Sequence, residues 1–294
     1  MKAFQIVAIP LLSLVLLISN TNSAEKVKKN FEYDPADETV RSSLLENPNL
    51  YDTDIVAQGD KLWIAWLQFE TGKGDHVWIG RRHDGNWAAK HKVTAKPGKY
   101  ANPTVTIDKI GHVWLSYEAE SNKQWDIFLT ALQSDDTFTT AKPITSNAGP
   151  DINHRTVADP VKGIWIVWQS GQHGQFDILA AHIKTTEKDK TSVVSENSPQ
   201  GDWHPDLAVT HDGSLHVAWD AYDGKSYNVY ARSCKDNNWN DIICVANSPA
   251  FEGRVSLAPD NKNNVWISWE QGAENWGTPY RSRIRKYPTR TQRL

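Results

Sequence analysis

The sequence predicts an all-β chain folded as a β-propeller of five four-stranded blades, and three observations carry that prediction. First, a short apolar stretch ending in an aromatic residue recurs five times: GDKLWIAW, KIGHVWLSY, VKGIWIVW, HDGSLHVAW and KNNVWISW. Its closing residues Trp66, Tyr117, Trp168, Trp219 and Trp269 are 51, 51, 51 and 50 residues apart. Second, other positions keep the same period. Three residues upstream stand Trp63, Trp114, Trp165, His216 and Trp266, and nine residues downstream stand Asp75, Asp126, Asp177 and Asn228. Third, each unit holds several short strand patterns separated by polar turns, which is how a propeller blade is written in sequence.

The chain opens on MKAFQIVAIPLLSLVLLISNTNSA, with one lysine, an apolar run and small residues up to Ala24, and reads as a cleaved secretory signal over residues 1–24. A secreted or periplasmic location follows. No later segment approaches the roughly 20 apolar residues that a membrane helix needs, so no membrane span is expected. Residues 25–48 are polar, match no repeat, and could return to close the last blade. The propeller then occupies residues 49–294, with blades over about 49–99, 100–150, 151–200, 201–250 and 251–294.

The fourth blade shows the order of strands most clearly. Pro205 to Thr210 alternates as a first strand, and His211-Asp212-Gly213 makes a tight turn. Leu215 to Trp219 is apolar almost throughout, as suits a strand covered on both faces. Tyr227 to Arg232 and Ile242 to Ala246 complete the unit. Blades one to three repeat this order. The fifth has RVSLAP, NNVWISW and a third strand expected around Tyr280 to Tyr287, with no recognisable fourth. An open edge has to be covered. Either the segment after Lys26 supplies the missing strand, giving five closed blades, or the ring has six blades or is a truncated propeller.

The fourteen tryptophans fall mostly on the ladder, which assigns them to packing between blades. Cys234 and Cys244 are the only cysteines and flank a polar turn. A disulfide across such a hairpin fits an exported chain and would contribute roughly 2–3 kcal/mol. The net charge is -3, and the basic tail of Arg281, Arg283, Arg285, Lys286, Arg290 and Arg293 is read as solvated. An exported chain gives no reason to expect a nucleic-acid partner.

In a propeller the residues entering the first strand and leaving the second emerge on one face, around the channel mouth. The repeat places Asp52, Asp54, Asn102, His154, Arg155, His204, Asp206, Glu252 and Arg254 at the entries. It places Glu118, Glu120, Gln169, Asp220, Asp223, Glu270 and Glu274 at the exits. These positions vary while the strands do not, as a single ligand on the axis would require. Tyr51, Tyr100, Trp203 and Trp276 stand beside them and could stack on sugar faces. Glycoside hydrolysis needs two carboxyl groups roughly 5–10 Å apart. Asp52 or Asp54 with Glu118, or Asp206 with Glu252, are the candidate pairs. The histidines form no HExxH pair, no metal site is expected from His154, His204 and Asp206, and no cofactor fingerprint is present.

The repeats NPTVTID, GHVWLSYE and WDIFLTAL, with HPDLAVTHDGSLHVAWD and YNVYARS, resemble those of the sialidase-like propeller superfamily. The resemblance covers nearly all of the mature chain and implies the fold. The S-x-D-x-G-x-T-W turn of the enzyme members occurs nowhere, and only Arg155 and Arg254 stand where an arginine triad would be, so sialidase activity is not expected. VWISWEQGAENWGTPY is similar to the last blade of secreted bacterial proteins whose propeller precedes a metal-dependent phosphoesterase-like domain. That likeness implies the propeller alone. The reading of the sequence is therefore a non-catalytic binding module for carbohydrate or another polar ligand at Asp52, Asn102, His154, Arg155, Trp203, His204, Asp206, Glu252, Arg254 and Trp276. The alternatives are a glycoside hydrolase and a scaffold for protein partners.

Overall fold

The computed structural model describes residues 50–83, 86–133, 136–172, 174–184, 190–196, 200–272 and 289–293. All lie within the unit Pro48–Leu294. The signal segment, the stretch 25–48, Glu274, Trp276 and the strand expected around Tyr280 to Tyr287 fall outside the described residues.

Five antiparallel sheets follow one another along the chain, one per repeat. The first holds β1 (Leu50–Gln58), β2 (Lys61–Glu70), β3 (Gly74–His83) and β4 (Asn86–Lys92). The second holds β5 (Tyr100–Ile107), β6 (Val113–Ser121), β7 (Gln124–Ala131) and β8 (Lys142–Pro143). The third holds β9 (Asp151–Ala158), β10 (Ile164–Ser170), β11 (Asp177–Ile183) and β12 (Ser192–Val193). The fourth holds β13 (Asp202–Val209), β14 (Leu215–Tyr222) and β15 (Tyr227–Lys235), with both β16 (Asn238–Trp239) and β17 (Ile243–Ala246) paired to β15. The fifth holds β18 (Glu252–Pro259), β19 (Val265–Gln271) and β20 (Thr289–Arg293), in the register Trp269 opposite Arg290.

Each first strand is an edge of its own sheet, and successive first strands lie side by side: β1 against β5, β5 against β9, β9 against β13 and β13 against β18. Strands so arranged line an axis, and the sheets radiate from it as propeller blades. The ladder aromatics lie between blades, with Trp66, Tyr117, Trp168, Trp219 and Trp269 only 4%, 5%, 0%, 2% and 6% exposed. Four apolar clusters join neighbouring blades. One packs Trp63, Ala65 and Leu67 against Val113, Leu115 and Tyr117, and a second packs Trp114 and Ile127 against Ile166 and Trp168. The others join Val167 and Ile178 to Val217 and Trp219, and Ala218 and Val229 to Ile267 and Trp269.

Hydroxyls tie the outer strands in the same rhythm. The amides of Val77, Ile127 and Ile178 donate to the side-chain oxygens of Thr94, Thr145 and Ser195, at 3.0, 2.9 and 2.8 Å. In three first-to-second-strand turns an aspartate accepts two turn amides through Oδ1 and an indole N–H through Oδ2. Those indoles are Trp114 on Asp108, Trp165 on Asp159 and Trp266 on Asp260.

The expected disulfide is not formed. Cys234 and Cys244 are both free, the first buried and the second exposed. The reason is register. Cys244 on β17 lies opposite Tyr230 of β15, whereas Cys234 lies opposite Trp239 of β16. Four residues along a strand separate the two thiols by roughly 13 Å, about twice the Cα spacing that a disulfide spans.

Candidate functional site

The five first strands share an irregularity at the same place. Two residues oppose a single residue of the second strand, and that single residue is each time the ladder aromatic. The extra pairs are Asp52-Thr53, Asn102-Pro103, Asn153-His154, His204-Pro205 and Arg254-Val255, at the register shifts between β1 and β2, β5 and β6, β9 and β10, β13 and β14, and β18 and β19. The first member of each pair has left-handed backbone, with φ of 50°, 49°, 54°, 49° and 54°. A bulge of this kind bends the strand and turns side chains out of the sheet. Five of them at the same end of five inner strands make a rim around the channel mouth.

Carboxylates and amides bind this rim together across the blade seams. Asp52 Oδ2 accepts from the Asn102 amide at 2.6 Å, and Asp220 Oδ1 from the Arg254 amide at 3.0 Å. Gln169 Oε1 accepts from Asn153 Nδ2 at 3.0 Å within its own blade and from the His204 amide at 3.4 Å in the next. Asp54 and Asp206 follow the bulges of blades one and four. Each reaches into the neighbouring blade, accepting from the amides of Val105 at 2.8 Å and Leu257 at 2.7 Å. Burial pushes both carboxyl groups up, against these amides and the positive charge of Arg155. Arg155 holds the corresponding place in blade three, opposite Val167. Its Nη1 donates to Asn102 Oδ1 and to the His154 carbonyl, both at 3.1 Å.

Glu118 anchors the best-connected part. Its Oε1 accepts from Asn102 Nδ2 at 2.9 Å, from the His154 amide at 3.3 Å, and meets His154 Nδ1 at 3.1 Å. His154 Nε2 lies 2.9 Å from Ser116 Oγ. With Nδ1–H donated to Glu118, Nε2 is left to accept from the serine hydroxyl. Ser116, Glu118 and His154 are all buried between blades two and three, so this relay braces the rim and is not presented to solvent. Burial pushes Glu118 up, but the hydrogen bonds from His154 and the Asn102 side-chain amide outweigh it and hold the carboxyl below its usual range.

The remaining sequence candidates take distinct places. Glu252 is buried and turned to its own loop, accepting from the Ser248 amide at 2.9 Å, from the Ser248 hydroxyl at 3.0 Å and from Gln271 Nε2 at 3.2 Å. His204 is exposed, with Nδ1 3.3 Å from Asp220 Oδ2. Arg254 Nη1 donates to Glu270 Oε2 at 3.3 Å, with both side chains open to solvent. Trp203 lies against Tyr227, ring centroids 5.5 Å apart, in an aromatic group with Tyr222 and Phe251. Gly201 makes room for it, since a Cβ there would come within 2.6 Å of the indole. Tyr51 donates its hydroxyl to Asp75, and Tyr100 donates to the Lys96 carbonyl.

Two residues of the rim are not singled out by sequence reasoning, Asn153 and Ser116. His154 and His204 also differ in kind. His204 matches Asn153 as a left-handed bulge residue, and His154 is the second residue of its bulge, so one is exposed and the other buried. Among the described residues no group of three or more His, Cys, Asp or Glu side chains is placed to hold a metal ion.

No family model matches this sequence, and no curated protein matches it. Solved structures of similar shape do. A protein of unknown function from Dyadobacter fermentans aligns at 10% identity over 84% of this chain and 79% of that one, with a TM-score of 0.53. A thermostable family-43 glycoside hydrolase aligns at 13% identity over 76% and 84%, with a TM-score of 0.46. An endo-arabinase from Bacteroides thetaiotaomicron aligns at 13% identity over 84% and 94%, with a TM-score of 0.45. Likeness at such identities concerns the fold.

Proposed function

We propose that the chain is an exported propeller module that binds carbohydrate or a related polar ligand on the bulged rim, without a catalytic step of its own. One observation carries this reading. The acids that sequence marks for catalysis are committed elsewhere: Asp54, Glu118 and Asp206 accept backbone amides across blade seams, and Glu252 accepts from its own loop. Arg155, His204 and Arg254 are exposed and able to face a ligand, while Asn102 is held by Glu118 and Arg155; Trp203 and its aromatic neighbours offer an apolar surface beside them. Hydroxyl-rich ligands are recognised by such a mixture of fixed polar groups and rings.

Calorimetric titration and a glycan array with pure protein test it. The expected result is saturable binding that Trp203→Ala or His204→Ala weakens without loss of folding. Binding of no glycan, with tight binding of a protein instead, overturns the reading in favour of a scaffold. Mass analysis of exported protein tests the location, the expected product beginning after Ala24.

Glycoside hydrolysis is the second reading. It is favoured by the upward-pushed carboxyl groups of Asp54 and Asp206, a property that suits a general acid. It requires turnover of aryl glycosides that Asp206→Asn abolishes. An inactive wild type across a broad panel rules against it.

A further inference from the structure

At the rim end of the seam between blades four and five, four aromatic rings and one buried acid come together. Trp203 lies directly opposite Asp220 where β13 pairs with β14, and Tyr222 directly opposite Tyr227 where β14 pairs with β15. Opposed residues project from one face of a sheet, and alternation puts Asp220 and Tyr222 on the same face. The other blades hold Tyr51, Ala101, Ile152 and Gly253 at the place of Trp203. Phe251 adds the fourth ring from blade five. The Tyr227 ring centroid lies 5.5 Å from that of Trp203, 5.2 Å from Tyr222 and 5.4 Å from Phe251, at interplanar angles of 54°, 44° and 54°. Rings canted in this way do not cover one another's faces, and all four are only half-buried. Gly253 brings the acid into the group: a Cβ there would stand 3.0 Å from the tip of Phe251 and 3.1 Å from the Asp220 carboxyl carbon.

Asp220 accepts from the Arg254 amide and meets His204 Nδ1, and among the described residues no lysine or arginine side chain is bonded to it. The Arg254 guanidinium turns to Glu270 instead, and the turn between Tyr222 and Tyr227 carries one acid and one base, Asp223 and Lys225. These charges cancel in pairs. The charge of Asp220 reaches the rings: after burial, it is the next cause that pushes the Tyr227 hydroxyl up. A buried carboxylate that lacks a cationic partner gains from any cation brought near it, and the faces of aromatic rings attract cations as well. Resting on the ligand-binding reading above, we infer that this corner of the rim takes the protonated amine of an amino sugar in the bound polysaccharide. A neutral sugar gains from the rings alone. An ammonium group gains from the rings and from the acid behind them.

The test holds the sugar chain constant and changes one substituent: chitosan oligosaccharide, its N-acetylated form and cello-oligosaccharide carry amine, acetamide and hydroxyl at the same carbon. Calorimetric titration of the full chain is expected to favour the amine form about fivefold or more. Tetramethylammonium chloride should compete with it better than sodium chloride at equal ionic strength, which separates contact with the rings from screening. Tyr227→Phe keeps the ring and is expected to keep the preference. Tyr227→Leu and Tyr222→Leu keep apolar bulk without a ring and should lose it. Urea midpoints establish folding, and if Tyr227→Leu does not fold, Tyr222→Leu carries the comparison. Equal affinity for the amine and acetamide forms, equal competition by the two salts, or a preference that the leucine variants keep overturns the inference while the ligand-binding reading stands. Binding of other glycans but none of these three does the same. Failure to bind any glycan removes both.

Discussion

Asp206 and Glu118 are both acids of the rim, and their surroundings push them in opposite directions. For Asp206 burial dominates, and the amides of Leu257 and Leu207 with the charge of Arg155 offset it only in part, so its carboxyl titrates above the usual aspartate range. Its contribution to stability is then greatest where it is protonated, and is lost as pH rises through its folded value. For Glu118 the His154 and Asn102 bonds outweigh burial, so its contribution is present above the ordinary glutamate range and is lost as pH falls through its folded value. Two substitutions separate these cases in urea unfolding followed against pH. Asp206→Asn keeps an acceptor for Leu257 and is expected to leave the neutral-pH midpoint level or higher, while Asp206→Ala orphans that amide and costs about 1–3 kcal/mol. Glu118→Gln is expected to cost about 1–3 kcal/mol at neutral pH, with the gap to wild type closing in acid. If Asp206→Asn is as damaging as Asp206→Ala, ionisation of that carboxyl is worth more to the fold than the geometry allows. Much of this was hidden from the sequence. The acids were identifiable as rim residues, but their partners are backbone amides of the next blade, and backbone leaves no mark in composition.

At the scale of the hairpin, sequence and structure correspond more closely. Asp108 and Trp114, Asp159 and Trp165, and Asp260 and Trp266 are six residues apart, and in each pair the indole donates to the aspartate. Blade four changes both members at once, with Thr210 for the acid and His216 for the indole. Thr210 there bonds within the turn, to Asp212 Oδ1 and the Ser214 carbonyl. Blade four thus loses the indole N–H and its acceptor together, whereas blade one keeps the buried indole of Trp63 over Ala57. A double-mutant cycle of Asp108→Ala with Trp114→Phe should show a coupling of about 1 kcal/mol. The same cycle on Thr210→Ala with His216→Phe should show none. The cysteines were the opposite case. Ten residues of separation across a polar turn suited a hairpin disulfide, but the intervening segment pairs with β15 twice, through β16 and then β17, and carries Cys244 back along the strand. In the unreduced native protein a thiol reagent should therefore label Cys244 alone, with Cys234 reacting only after unfolding. A protein that shows no reactive thiol until a reductant is added would contradict the free pair. The bulges were not read from the sequence: it groups His154 and His204 among the strand entries, and His154 stands one position further along its bulge than His204.

Across the whole molecule, the repeat was readable because packing makes the same demand of every blade, so the ladder aromatics return at 50 or 51 residues. The far end of the ring was not. β20 is TRTQR, with no apolar alternation to mark it as a strand, and the sequence reading placed a third strand a few residues earlier, outside the described residues. The distribution of the core then makes a prediction about stability. Four apolar clusters join the blades in succession, and among the described residues the second, third and fourth sheets take part in two of them each while the first and fifth take part in one each. In an array held by neighbour contacts, a unit with two interfaces opens only with the whole, and units with one can open singly. The amides of β6, β10 and β14 are therefore expected to exchange with solvent most slowly, near the global unfolding limit, and those of β19 and β1 sooner. Substitution should follow the same order. Trp168, fully buried in the cluster between blades two and three, should cost about 3–5 kcal/mol on replacement by alanine. Trp266, at the corresponding site of the second ladder in blade five but 46% exposed, should cost well under half of that. Equal losses for the two, together with uniform exchange across all five sheets, would mean that the fifth blade is packed on both faces as tightly as the third, and that the ring is closed by contacts beyond the four clusters.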